Sequence, residues 1–98
     1  MNTKAVTLSK PVQRGDSAIA SVTLREPMAG DLRGLNLSEL LQMNVAAMTR
    51  LVPRITEPGL APDEVANLPG ADLVALSLAV VGFFFTEAQM AEEAQRLQ

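Results

Sequence analysis

Cysteine, histidine, tryptophan and tyrosine are all missing from these 98 residues, and phenylalanine occurs only three times. Without cysteine there is no disulfide framework and no thiolate metal site. Without histidine the usual zinc ligand and the usual proton shuttle near neutral pH are gone as well. Metal-assisted or acid–base chemistry would have to rest on carboxylates alone. The scarcity of aromatic rings leaves a core of Leu, Val, Ala and Met, adaptable but short of rigid anchors.

Basic residues are also sparse. Six Arg and two Lys are scattered with no two adjacent, and eleven Asp and Glu outweigh them to give a net charge of -3 and a pI near 4.8. Nucleic-acid binders normally show a basic stripe, so no nucleic-acid partner is expected. No basic, apolar, small-residue leader opens the chain, which makes the cytoplasm the expected compartment. At this length the chain is read as one small domain, residues 1–98, whose single core supplies nearly all its stability.

What is present reads as α+β: an N-terminal β-hairpin followed by a mainly helical part of three to four helices. Ala5–Leu8 suits a short strand, and Pro11 is expected to end or bend it. Arg14-Gly15-Asp16-Ser17 is a turn signal, and Ala18–Arg25 has the two-residue period of a second strand. A hairpin over residues 5–25 with a longish connection follows. Arg-Gly-Asp is also an adhesion tripeptide of extracellular proteins, but here the turn explains it. Glu26-Pro27 ends the strand, and a single helical turn fits around residues 28–34.

A helix is expected over 36–55. Asn36 is its N-cap, with Glu39 as capping-box partner. Leu37, Leu40, Leu41, Asn44, Met48, Leu51, Val52 and Ile55 fall on one face, and Pro53 stops or kinks the end. Residues 56–61 read as a loop and 62–67 as a short helix opened by Pro62, Asp63 and Glu64. Further helices are expected over 71–85 and 87–97, the second capped by Thr86.

Constellations that carry chemistry are hard to find. Asp63/Glu64 and Glu92/Glu93 are adjacent in sequence, and neighbouring residues on a helix point apart. Gly30 and Gly34 lack the spacing of a phosphate-cradling loop. No triad can be built without histidine, and a Ser–Lys dyad would need Lys4 or Lys10 on the hairpin. The chain is expected not to be an enzyme, with no cofactor and no metal.

The segment Leu73–Phe85 is the most informative, since Ser77 is its only polar residue. Its 13 residues, 15 counted from Ala71, are too few to cross a bilayer, which needs about 20, so no membrane partner is expected. Two readings remain open: a central core helix, or a helix that covers the core with one face and meets another chain with the other.

Leu8-Ser9-Lys10-Pro11, the block Thr23–Leu35, the helix end Leu51-Val52-Pro53-Arg54-Ile55 and the segment Ala71-Asp72-Leu73…Gly82-Phe83-Phe84 resemble the E-type tail assembly chaperones of P2-like and Mu-like phages. The resemblance runs in order over most of residues 6–85, and the block Thr23–Leu35 is its most specific part. It implies a protein that keeps the long, aggregation-prone tape measure protein soluble until the tail tube polymerises around it. Such a protein works in the cytoplasm of the bacterial host and is absent from the mature virion. Self-association through part of Leu73–Phe85 is expected from its surplus apolar surface, and the resemblance implies a longer product made by ribosomal frameshifting. Phe83-Phe84-Phe85 is a candidate for the T-rich slippery stretch, which the nucleotide sequence tests.

On this reading Leu73, Leu76, Val80, Phe83, Phe84, Met43 and Met48 are the candidates for a client or oligomer interface. Arg25, Glu26, Asp31 and Arg33 either brace the strand-to-helix junction or form a polar rim around it. The rival functions are a permanent tail completion or connector subunit and a DNA-binding regulator. Mass spectrometry of purified virions separates the first, and a gel shift at low salt the second.

Overall fold

The computed structural model describes residues 3–85. Strands β1 (Thr3–Arg14) and β2 (Ser17–Arg25) form the hairpin, and a 3-10 turn spans Ala29–Leu32. Then come α1 (Leu37–Leu41), α2 (Val45–Ile55), β3 (Thr56–Glu57), α3 (Pro62–Ala66) and α4 (Gly70–Phe83). The sheet is antiparallel in the order β1-β2-β3, so the fold is α+β as expected. The helix expected over 87–97 lies outside the described residues.

The hairpin is longer and tighter than its composition suggested. Pairing runs from Thr3↔Arg25 to Arg14↔Ser17, so the connection is only Gly15-Asp16 rather than a longish loop. Gly15 sits at φ 58, the positive value that a two-residue hairpin turn requires at its first central position. Pro11 does not end β1. The register shifts between Thr7 and Val12, and this bulge takes up the residue that cannot donate to a ladder. Ser9 and Lys10 donate their N–H groups elsewhere, to the Asp72 carboxylate at 2.7 and 3.2 Å.

The helix expected over 36–55 is two helices. Asn36 caps α1 as foreseen, its Oδ1 accepting from Ser38 N–H at 2.8 Å. The chain then turns out of the helix at Met43, whose φ is +57. Met43 N–H donates to the Leu40 carbonyl and Asn44 N–H to the Glu39 carbonyl, the paired bonds of a left-handed helix terminus that glycine usually occupies. Asn44 is therefore not on the apolar face. Its Oδ1 accepts from Ala47 N–H at 3.0 Å and caps α2. A residue that reads as a helix-interior position was acting as a start signal, because a short amide side chain competes for backbone N–H groups.

α2 buries Ala47, Met48, Leu51, Val52 and Ile55, and Pro53 sits in its last turn as expected. The following loop contains an element the sequence did not announce. Thr56-Glu57 pairs with Thr23-Leu24 of β2, and the buried Thr56 hydroxyl accepts from Leu60 N–H at 3.1 Å. α4 lies beside β1. The core gathers Leu8, Val22 and Leu24 from the hairpin, Leu40 and the α2 residues, Leu60 and Val65, and Leu76 and Val80 of α4.

Candidate functional site

Burial sorts the candidate interface residues into three groups. Met48, Leu76 and Val80 are 0% exposed and belong to the core, which removes them from the accessible surface. Leu73, Phe83 and Phe84 are half-buried against that core. Only Met43 stands out, at 37% exposure. The apolar residues that do face outward are neighbours in the sequence that the candidate set left out.

On α4 these are Val74, Leu78 and, just beyond its end, Phe85. The helix is apolar round its whole circumference, so no contrast between a polar and an apolar side marks which way it turns inward. Asp72 settles its rotation. This carboxylate is 3% exposed and accepts the two bulge N–H groups of β1, fixing Leu76 and Val80 toward the core one and two turns on. Burial pushes the Asp72 carboxyl up, and hydrogen bonds from Ser9 and the Lys10 N–H outweigh it, so that it ends below its ordinary value. Lys4 completes the contact. Its ammonium lies 4.7 Å from the Phe83 ring centroid and donates to the Ala79 carbonyl at 3.4 Å. Gly82 leaves room for it, since a Cβ there would meet the lysine Nζ.

The second outward face belongs to α1 and the bend after it. Leu37 and Leu41 are one helical turn apart and are 53% and 45% exposed, while Leu40 between them is in the core. Met43 and Val45, at the bend and just after it, are 37% and 62% exposed. The break at Met43 separates α1 from α2 within this stretch. The sequence signal for it was the residue pair Met43-Asn44.

Of the polar candidates, Arg25 and Asp31 tie the junction together. Arg25 grips Asp31 through two bonds of 2.6 and 2.7 Å and also donates to the Arg54 carbonyl. Arg54 in turn donates to the carbonyls of Asp31 and Arg33. The Arg25 guanidinium and the Met28 N–H hold the Asp31 carboxyl down at about 2. This ties the end of β2, the 3-10 turn and the end of α2 together. Arg33 contributes its carbonyl, with its side chain on the surface, and Glu26 is half-buried beside Arg25.

A second ion pair, absent from the candidate set, holds the hairpin tip. Arg14 makes two bonds to Glu64 of α3, at 2.8 and 2.6 Å, and also donates to the Gly59 carbonyl. Glu64 accepts from Ala61 N–H as well, and the arginine and this N–H together hold its carboxyl at about 2. The arginine of the Arg-Gly-Asp turn is thus committed within the fold.

Among the described residues no three His, Cys, Asp or Glu side chains gather where they could hold a metal ion. None of the described helices is long and apolar enough to cross a membrane. The described surface carries exposed apolar side chains on α1 and α4. Residues 5–84 match the family described as phage tail assembly chaperone proteins, E, or 41 or 14. The chain belongs to that family of non-enzymatic assembly chaperones.

Among its relatives are two proteins of Escherichia phage P2. It is 47% identical to tail assembly protein E over 78 residues, 80% of this chain and 86% of E. It is 46% identical to tail assembly protein E′ over 82 residues, 84% of this chain but 58% of E′. The chain therefore spans little more than half the length of E′. No solved structure matches it.

Proposed function

We propose that this chaperone holds the tape measure protein of its phage soluble until the tail tube forms, and that it does so through the face made by Leu37, Leu41, Met43 and Val45. The observation that carries this reading is the exposure of four large apolar side chains on one short, bent stretch. A client that is long and helical presents many similar but unequal apolar stripes. An unbranched methionine beside leucines accommodates such variation better than a rigid aromatic pocket would. Arg33, exposed beside the junction, supplies a polar margin to that surface.

The setting of this activity is the host cytoplasm, and the chaperone leaves before the virion matures. Purified virions should lack the chain by mass spectrometry; its presence at stoichiometric level would make it a structural subunit instead. The two relatives support a longer companion product, since nearly the same region matches both E and the longer E′. A slippery stretch in the codons of Phe83–Phe85 is the expected origin, and codons there that avoid TTT would exclude it. The direct test of client binding is co-expression with the tape measure protein, reading its solubility and co-purification.

A further inference from the structure

Four of the six arginines of the chain, Arg25, Arg33, Arg50 and Arg54, gather around residues 31–34. The Arg54 guanidinium donates to the carbonyls of Asp31 and Arg33 at 2.6 and 3.0 Å. Arg50, about one helical turn earlier on α2, reaches the same place: a Cβ placed on Gly34 would lie 3.8 Å from its Nη2. The carboxylate of this cluster is Asp31, and Arg25 already holds it through two bonds. Among the described residues the ion pairs are Arg25–Asp31 and, at the hairpin tip, Arg14–Glu64. Arg33, Arg50 and Arg54 are exposed and take part in neither.

We infer that this cluster is a carboxylate-binding patch, which takes acidic side chains flanking an apolar stretch of the client. The patch belongs to the client surface proposed above, on which the inference rests. Leu37 follows Gly34 by three residues, so the cluster stands at the N-terminal end of α1. A guanidinium presents a planar fork that meets a carboxylate through two parallel bonds. The two lysines, which lack that fork, are both on β1. Guanidinium charges held close without a counter-charge repel one another, and a partner's carboxylate relieves that repulsion.

A protein segment fits this patch better than a nucleic acid does. A nucleic-acid site needs a basic stripe that follows the phosphate backbone. Here the basic charge is gathered at one turn, the exposed side chains next to it on α1 are Leu37 and Leu41, and the net charge of the chain is -3. Glu39, the acidic residue of α1, is two positions on from Leu37 and points away from it, and it forms no ion pair with the cluster. The segment that fits therefore has a set order. It carries an apolar stripe for Leu37 and Leu41, with Asp or Glu at the end that meets Arg33 and Arg50.

Co-purification of the phage's tape measure protein with the full chain, at low and at high salt, tests this. Retention by the wild type should fall as salt rises, because exposed charge pairs are screened. The double variant Arg33→Glu/Arg50→Glu should retain about tenfold less at low salt, with an unchanged far-UV circular dichroism spectrum. Lys10→Glu, an exposed cation on β1, should leave retention as it was. A double variant that retains the client as well as the wild type at every salt overturns the inference alone. An equal loss with Lys10→Glu overturns it too, since net charge would then explain the effect. A wild type that retains nothing overturns the proposed function and this inference with it. If the double variant does not fold, Arg33→Gln/Arg50→Gln decides by the same readout. A low-salt gel shift of duplex DNA that the double variant abolishes would assign the patch to nucleic acid, and the inference would fall.

Discussion

Asp72 is the residue on which the arrangement of the molecule turns. It sits in the first turn of α4, where a carboxylate is favoured by the helix dipole alone, and that local reason hides its larger role. Its two oxygens accept the N–H groups that the β1 bulge frees, and so set which side of α4 faces the core. Replacing it by alanine strands two part-buried donors. Asp72→Ala should cost about 1–3 kcal/mol in urea unfolding, and Asp72→Asn, which keeps one acceptor, should cost less. Equal losses from the two variants would mean that helix charge and not the bulge contact is at stake. Met43 makes the opposite case, a residue held in a conformation it does not favour. A left-handed non-glycine residue costs roughly 1–2 kcal/mol, and a glycine there gives back part of that in chain entropy. Met43→Gly should therefore stabilise the fold by about 0.5 kcal/mol, while the β-branched Met43→Val should destabilise it. A drop in stability with Met43→Gly would show that the methionine side chain supports the bend.

The elements were legible where local chemistry decides them and obscure where a partner elsewhere decides. The turn at Gly15-Asp16, the cap at Asn36, Pro62 at the start of α3 and the apolar face of α2 all follow from residues within a few positions of each other. The break after α1 was legible in principle, since Asn44 is a cap residue, yet its place in an apolar stripe disguised it. β3 carries no strand signal of its own: Thr56-Glu57 is extended because β2 offers an edge and Thr56 an acceptor for Leu60 N–H. The candidate surface suffered most at α4. In a helix apolar on every side, spacing cannot separate Leu76 and Val80 from Val74 and Leu78, and only the contact of Asp72 with β1, more than sixty positions away, does so. The contact of Arg25 with Asp31 is a local one, since the two lie within six residues of each other.

Among the described residues of the whole molecule, three carboxylates fasten the parts together. Asp72 joins β1 to α4, Glu64 joins the hairpin tip to α3, and Asp31 joins β2 to the 3-10 turn. All three are depressed in the folded chain, Asp31 and Glu64 to about 2 from 3.8 and 4.5. A group with a depressed folded value contributes stability above its unfolded value and loses it as the pH falls through the folded one. The urea midpoint should thus be flat from pH 7 to about 5 and decline from about 4.5 toward 2; a midpoint that rises on acidification would contradict these pairings. The two ion pairs lie at the surface, where solvent screens them, so the decline should be gradual. The proposed client surface is the apolar α1 face, which the molecule carries outward. The most direct test is to co-express the phage's tape measure protein with this chain and with its Leu41→Glu variant. The account predicts a soluble tape measure protein that co-purifies with the wild type and is lost to the pellet with the variant. A tape measure protein whose solubility does not change, and which fails to co-purify with the wild type, would contradict it.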